Sequence, residues 1–108
     1  MIMDPELPDL TIADVVESTA GRDAEELFYV IASDAQFLYL VNGKDRTIEK
    51  PKKKKRKHVA YFSEGSDRLR QKLLENGKVT NSEIRRALSP HIAQREMPLQ
   101  AEGGNLLG

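Results

Sequence analysis

The sequence predicts a mainly β protein, a small barrel of five short strands followed by one or two short α-helices. Between residues 11 and 62, apolar and β-branched runs alternate with turn-forming residues, which is typical of consecutive strands. All three Phe and all three Tyr of the 108-residue chain lie between positions 28 and 62, so the aromatic volume for a core is concentrated there. Beyond position 62 the apolar residues follow a helical spacing.

Tight connections between the predicted strands favour a small barrel or a curled antiparallel sheet. Asp34 and Ala35 separate the second strand from the third, a gap that suits a hairpin, and Asn42–Gly43 offers a positive-φ turn after the third. Parallel pairing would require a crossover of about a dozen residues. The predicted strands cover 11–18, 27–33, 36–42, 46–49 and 58–62.

Capping residues mark the two helices. Ser63 and Ser66 are candidate N-caps of the first helix, and Asn76–Gly77 is a typical helix end. Thr80 and Glu83 form a candidate capping box that opens the second helix. The apolar faces consist of Leu69, Leu73 and Leu74 in the first helix and Ile84 and Leu88 in the second.

The predicted organisation is a single small domain with flexible ends. Residues 1–10 contain acids and two prolines, and residues 91–108 show no periodicity, so neither segment offers enough apolar surface to become ordered. Pro90 lies just beyond the predicted second helix. The chain therefore divides into a flexible acidic leader (1–10), a barrel (11–62), a helical extension (63–90) and a disordered tail (91–108).

Composition excludes several classes of function. The chain has no cysteine, so it has no disulfide, thiolate nucleophile or cysteine-type zinc site. His58 and His91, its two histidines, lie outside any cluster with ligand spacing, so we expect no metal, no other cofactor and no small-molecule substrate. The acidic N-terminus is unlike a secretory signal, and apolar stretches of about seven residues are shorter than the roughly 20 of a membrane span. These features predict a soluble cytoplasmic protein with no membrane partner.

Charge is unevenly distributed along the chain, although the net charge is zero. Residues 1–49 hold eleven acids and three bases, a net of −8, whereas residues 50–108 hold six acids and fourteen bases, a net of +8. Such asymmetry is typical of proteins that contact nucleic acids or membranes. The acidic half is also a candidate surface for a protein partner.

The basic excess is densest in residues 50–58, K-P-K-K-K-K-R-K-H, which hold seven positive charges. Because like charges repel, we expect this run to stay out of the core, as a solvated loop or an extended edge. Each Lys can approach a phosphate oxygen, so the run predicts a strip that binds a nucleic-acid backbone. Neutralising about five or six phosphates would give a log–log salt slope near −4 to −5. Tyr39, Tyr61 and Phe62 are available to stack on bases, although core packing is the more ordinary use of each.

Other uses of the basic residues stay open. The run could serve solubility alone, and P-K-K-K-K-R-K also fits a basic nuclear import signal. Its position between two predicted strands favours phosphate binding, because import signals more often lie in flexible tails. The helical pair could extend the basic surface or present a solvated face through Arg68, Arg70, Lys72, Arg85 and Arg86.

Three spaced motifs resemble the bacterial KOW-domain RNA-binding proteins, which are related to KOW-type large-subunit ribosomal proteins of archaea and eukaryotes. The first is V-V-x-S-x-A-G-R-D at 15–23, followed by a β strand and then by a third strand that ends near Asn-Gly. The second is E-K-P-K-K-K-K-x-K-H at 49–58, and the third is G-K-V-T-N-x-E-I-R-x-A-L at 77–88. The resemblance extends over residues 12–88, and the combination of three motifs is more specific than any one of them.

The resemblance implies an SH3-like barrel, a role in translation, and ribosomal or other structured RNA as the partner. Gly21 and Asp23 would form the KOW turn. Ala24, Glu25 and Glu26 stand where the family usually has Lys-Gly and a further base, so this loop is a poorer phosphate ligand and binding is expected to shift to the lysine run. The candidate RNA-binding residues are Lys50, Lys52, Lys53, Lys54, Lys55, Arg56, Lys57 and His58, together with Arg22.

We therefore predict a non-catalytic RNA-binding protein. An enzyme could be framed around His58 with Ser63 or Ser66 as nucleophile, but no Gly-rich phosphate loop, G-x-S-x-G elbow or paired metal ligands accompany them. The alternative is a protein-interaction adaptor, in which the acidic half recognises a basic partner, the altered KOW loop no longer touches RNA, and the lysines only solubilise the chain.

Overall fold

A five-stranded antiparallel sheet and two following helices form the part of the chain that the computed structural model describes, residues 12–75 and 77–96. The predicted leader lies outside the described residues, as do residues 97–108 of the predicted tail. The strands are β1 Asp14–Ser18, β2 Leu27–Ser33, β3 Phe37–Val41, β4 Lys52–Lys55 and β5 Val59–Glu64. A 3₁₀ turn, Arg56–His58, joins β4 to β5, and the helices are α1 Asp67–Leu74 and α2 Asn81–Glu96. The predicted fold class, mainly β with short helices after the sheet, is confirmed.

The strand order is β4-β3-β2-β1-β5, so β1 to β4 form a meander and β5 returns to pair with β1. Two register irregularities interrupt the ladders, because β5 has an extra residue, Phe62, where it pairs with β1, and β2 has an extra residue, Ile31, where it pairs with β3. Such bulges increase local twist and bend the strands that carry them. The sheet is consistent with the small barrel-like fold that the tight connections predict.

The fourth strand does not lie at 46–49, where the sequence predicts it. That segment forms a turn whose bridge pairs Thr47 with Lys50, and the strand is instead the lysine run 52–55, paired with β3. Lysine is depleted in strands as a rule. On the outer strand of a sheet, however, alternate lysine heads can reach water while the backbone pairs, and edge lysines also discourage pairing with other chains.

Apolar side chains of the sheet form two buried clusters, one on each face. One cluster contains Val16, Phe28, Val30, Leu38 and Leu40, with Val59 packed against it. The other lies beneath the helices and is built by Val15, Tyr29 and Val41 of the sheet together with Leu69, Ile84 and Leu88 of the helices. Packing against the sheet therefore stabilises the two helices, because helices this short are only marginally stable on their own.

The predicted N-cap at Ser66 and the capping box at Thr80 are confirmed, whereas Ser63, the other candidate N-cap of α1, lies in β5. The Ser66 hydroxyl accepts a hydrogen bond from the Leu69 amide at 3.2 Å, and β2 supports the same turn because the Tyr29 hydroxyl accepts from the Ser66 amide at 3.0 Å. Thr80 and Glu83 cap each other reciprocally, with Glu83 N to Thr80 Oγ1 at 3.1 Å and Thr80 N to Glu83 Oε1 at 3.0 Å. Leu74, predicted on the apolar face of α1, is instead 59% exposed.

The predicted end of α2 at Pro90 is wrong, because the helix continues through this proline to Glu96. Proline removes one helical hydrogen bond and on its own disfavours continuation. Contacts beyond the proline hold the last turns in place: Ile92 packs against the core, and the His91 ring meets the edge of Phe62 at 6.2 Å between centroids. Arg95 forms an ion pair with Glu17 of β1 at 3.6 Å. Residues 91–96 of the predicted tail are thus helical.

The predicted turn at Asn42–Gly43 follows β3 and packs against α2. Gly43 has a φ of +80°, and a Cβ at this position would lie 2.6 Å from the carbonyl oxygen of Asn81. Arg85 donates from Nη1 to the Gly43 carbonyl at 2.6 Å, and the Asn81 side chain accepts from the Ile48 amide at 2.9 Å. Only glycine combines the positive φ with this close approach to the helix.

Candidate nucleic-acid interface

The lysine run is divided between the two faces of the sheet. Lys52 and Lys54 are paired with Leu40 and Leu38, so they share the face of the buried cluster that these leucines join. Lys53 and Lys55 are exposed on the opposite face. The alternation of side chains along a strand therefore separates residues that are neighbours in sequence.

Lys54 is buried, in contrast to the expectation that the whole run stays out of the core. Its side chain is 8% exposed, and its Nζ donates to Asp23 Oδ1 at 2.6 Å and to the carbonyl of Ala20 at 2.7 Å. A buried ammonium is tolerated when it is paired and hydrogen-bonded. Lys54 thus holds the loop of residues 19–26, and this position removes it from the candidate phosphate ligands.

Asp23 is the centre of this inner network. Its carboxylate accepts from Ser18 Oγ at 2.8 Å as well as from Lys54, and Lys52 Nζ lies 3.7 Å from Oδ2. Burial alone would raise the pKa of Asp23, but the hydrogen bonds from Lys54 and Ser18 and the nearby ammonium charges outweigh burial and hold the pKa below its ordinary value. The carboxylate is therefore ionised near neutral pH and stabilises both lysines.

The loop that the family resemblance assigns to the KOW turn is bound from two sides. Gly21 has a φ of +88°, and a Cβ there would lie 3.4 Å from Lys54 Nζ. On the other side, Arg95 of α2 donates to the carbonyl of Glu25. Arg22 is exposed at the tip of the loop. The loop is thus a structural part of the fold in which Asp23 faces inward.

Glu25 has a φ of +75°, a conformation that suits glycine. Replacing Glu25 by Gly should stabilise the protein by about 1 kcal/mol because it relieves the left-handed strain. The melting temperature, measured by circular dichroism, should rise by roughly 4–8 °C. Glu26→Gly is the matched control, since Glu26 has no positive φ and the added backbone entropy should lower the melting temperature. A fall in both variants would contradict the strain at Glu25.

Two aromatic rings lie beside the exposed lysines, on the face of the sheet opposite Lys52 and Lys54. Tyr39 is paired with Lys53 and Phe37 with Lys55, so each ring shares a face with its partner lysine. Lys53 Nζ lies 4.4 Å from the centroid of the Phe37 ring. Both rings are only partly buried, and neither belongs to the cluster beneath the helices, although Val41 farther along β3 does. We call Lys53, Lys55 and Lys57 the outer lysines, and Phe37 and Tyr39 the outer aromatic pair.

The outer lysines continue into the 3₁₀ turn. Lys57 is exposed, and together with Lys55 and Gln36 it lines an open depression of about 300 Å³. Asp34 borders this region; hydrogen bonds from the amides of Phe37 and Gln36 lower its pKa, so its carboxylate is ionised. The carboxylate accepts from the Tyr39 hydroxyl at 3.3 Å and thereby orients that ring.

The remaining predicted residues of the run take other positions. Lys50 is exposed just before β4, whereas the Arg56 guanidinium donates from Nε to the carbonyl of Asp34 at 2.9 Å and supports the β2–β3 turn. His58 is partly buried, and its carbonyl accepts from the Thr19 amide at 2.9 Å. Ser63 donates from Oγ to the carbonyl of its neighbour Glu64 at 3.0 Å, so its hydroxyl is hydrogen-bonded to the backbone.

Among the aromatic residues considered for stacking, only Tyr39 lies beside the outer lysines. Phe62 packs against the core beneath the helices, and Tyr61, 50% exposed, lies on β5 at the opposite edge of the sheet. Sequence reasoning did not single out Phe37. The signal was available in the two-residue spacing from Phe37 to Tyr39, which places both rings on one face of a strand.

Comparisons with known proteins leave the family resemblance as a prediction. No protein-family model matches the chain, and no curated protein shows significant similarity to it. Within residues 12–75 and 77–96, no group of three or more His, Asp or Glu side chains is placed to hold a metal ion. In the same ranges, neither helix has the length and apolar character that crossing a membrane requires.

Proposed function

We propose that this chain is a cytoplasmic, non-catalytic RNA-binding protein that acts in translation by contacting ribosomal or other structured RNA. The observation that carries the proposal is the common exposure of the outer lysines at one edge of the sheet. Lys53 and Lys55 are two residues apart in a strand, which places them about 7 Å from each other. This spacing suits contacts to successive phosphates along an extended nucleic-acid backbone.

The position of the run in the fold supports phosphate binding over an import signal. Residues 52–55 are paired with β3 rather than free, whereas import signals act as extended, accessible peptides. Among residues 12–75 and 77–96, no strand pairs with the outer edge of β4, so within this part of the chain a polyanion can approach without displacing a strand. The family resemblance, which implies RNA as the partner, agrees with this assignment.

Burial of Lys54 and pairing of Lys52 revise the expected number of phosphate contacts. Four exposed cations remain in the run, Lys50 and the outer lysines. With about 0.7 counterion released per phosphate on a single strand, four contacts give a log–log salt slope of about −3 instead of −4 to −5. We therefore expect binding to depend less steeply on salt than the sequence alone predicts.

The proposal is tested by titrating labelled RNA with the protein at several salt concentrations. Fluorescence anisotropy should show binding to ribosomal RNA fragments that weakens with salt at a slope of about −3. Binding that is absent at low salt, or that does not change with salt, would contradict phosphate contacts. In that event the adaptor alternative gains support, because Glu25 and Glu26 remain exposed on the acidic loop.

A further inference from the structure

The outer aromatic pair offers a platform that the phosphate contacts alone do not require. We infer that Phe37 and Tyr39 stack on unpaired bases, so that this surface prefers a single-stranded segment of RNA to a duplex. The inference rests on the proposed RNA binding and adds the form of RNA that is recognised. It also assigns a role to Phe37, which lies in none of the three motifs.

Geometry places the two rings where bases would lie beside a bound backbone. Phe37 and Tyr39 are two residues apart on β3 and therefore about 7 Å apart on one face. Lys55 and Lys53 lie directly across from them on β4. A strand of RNA whose phosphates follow the lysines therefore has its bases over β3, where the rings are.

The face of the Phe37 ring contacts a solvent-exposed lysine, and the ring belongs to neither buried cluster. An ammonium 4.4 Å from the centroid lies over the ring, and Lys53 is itself exposed to solvent. A flexible lysine can leave this position when a phosphate attracts it. A base then takes its place on the ring, so phosphate binding by Lys53 and stacking on Phe37 support each other.

Unpaired bases are required because stacking on a side chain needs a free π-face. In a duplex the bases are stacked on one another and a protein contacts mainly phosphates and sugars, whereas single strands stack their bases on exposed aromatic rings. A depression of about 300 Å³, lined by Gln36, Lys55 and Lys57, lies beside the outer lysines. Aromatic stacking of this kind tolerates different bases.

A single tryptophan makes the stacking visible. The chain contains no Trp, so Phe37→Trp introduces one reporter at the platform, and Tyr61→Trp places a matched reporter on β5 at the other edge. Titration with a single-stranded oligonucleotide of about eight residues should quench Trp fluorescence in the first variant and leave it unchanged in the second. Binding measured by anisotropy without quenching at position 37 would overturn the inference.

A second pair of variants separates stacking from phosphate binding. The double variant Phe37→Leu/Tyr39→Leu should lose at least about tenfold in affinity for the single strand, with the salt slope unchanged, and should bind a hairpin duplex as wild type does. Tyr61→Leu should bind both as wild type. Equal losses for single strand and duplex would overturn the inference. Failure of wild type to bind any RNA would instead contradict the proposed function.

Discussion

Replacing the outer lysines together, Lys53→Gln/Lys55→Gln/Lys57→Gln, is expected to weaken RNA binding on the order of 100-fold at low salt. The three side chains are exposed on one edge, and their loss removes about three of four phosphate contacts. The salt slope should fall from about −3 to about −1, since each phosphate contributes about 0.7. Anisotropy titrations at several salt concentrations give both quantities.

A control with the same change in net charge shows whether position matters. Lys44→Gln/Lys78→Gln/Arg86→Gln removes three exposed charges at sites outside the lysine run. This variant should retain the slope and lose only a few-fold in affinity through long-range attraction. If both triple variants weaken binding equally, the protein attracts RNA through its overall charge, and the outer lysines are not the site.

Lys54→Met should be the most destabilising single substitution in the lysine run. It leaves the inward Asp23 carboxylate without its closest partner, at 2.6 Å, and removes the support of the Ala20 carbonyl. Breaking a pair buried to this extent lowers the free energy of unfolding on the order of 2–3 kcal/mol. The melting temperature should therefore fall by roughly 10–20 °C, as measured by circular dichroism.

Lys55→Met is the matched control for this substitution, because it removes the same charge from the neighbouring, exposed position. It should change the melting temperature by no more than about 2 °C, as surface substitutions do. The double variant Lys54→Met/Asp23→Leu should recover part of the lost stability, since it no longer buries an unpaired charge. Similar melting temperatures for Lys54→Met and Lys55→Met would contradict the structural role of Lys54.

Local signals in the sequence were sufficient for most of the architecture. The hairpin at Asp34, the turn at Gly43 and the caps at Ser66 and Thr80 depend on residues within a few positions of each other, and all are present. Their physical basis is short-range backbone geometry and hydrogen bonding. Helix continuation beyond Pro90 depends instead on distant contacts, above all the packing of Ile92, which no local pattern reveals.

The sequence predicts the segment that forms the candidate site, but not which of its lysines are buried and which are exposed. Lys54 and Asp23 are 31 positions apart, and nothing in the composition of K-K-K-K indicates which lysine turns inward. The register of β4 against β3 decides this, because a shift of one residue would expose Lys54 and bury Lys53. Because the sequence predicts the fourth strand at 46–49, it does not predict the pairing of β4 with β3 or which lysines are exposed.

The structure shows where the acidic residues lie that distinguish the loop 19–26 from the KOW pattern. The side chains of Glu25 and Glu26 are exposed. The backbone carbonyl of Glu25 accepts a hydrogen bond from Arg95, and the carboxylate of Glu17 forms an ion pair with the same guanidinium. Part of the negative charge in the first half of the chain is therefore used within the fold. This arrangement agrees with the proposed shift of RNA binding away from the loop and toward the outer lysines.

Mapping the bound surface tests the central claim most directly. In amide chemical-shift titrations of the wild-type protein with single-stranded RNA, we expect changes concentrated in residues 36–39 and 53–57, with residues 19–26 and α2 little affected. Changes concentrated in the loop 19–26, or spread evenly over the surface, would contradict the outer lysines and the outer aromatic pair as the binding site.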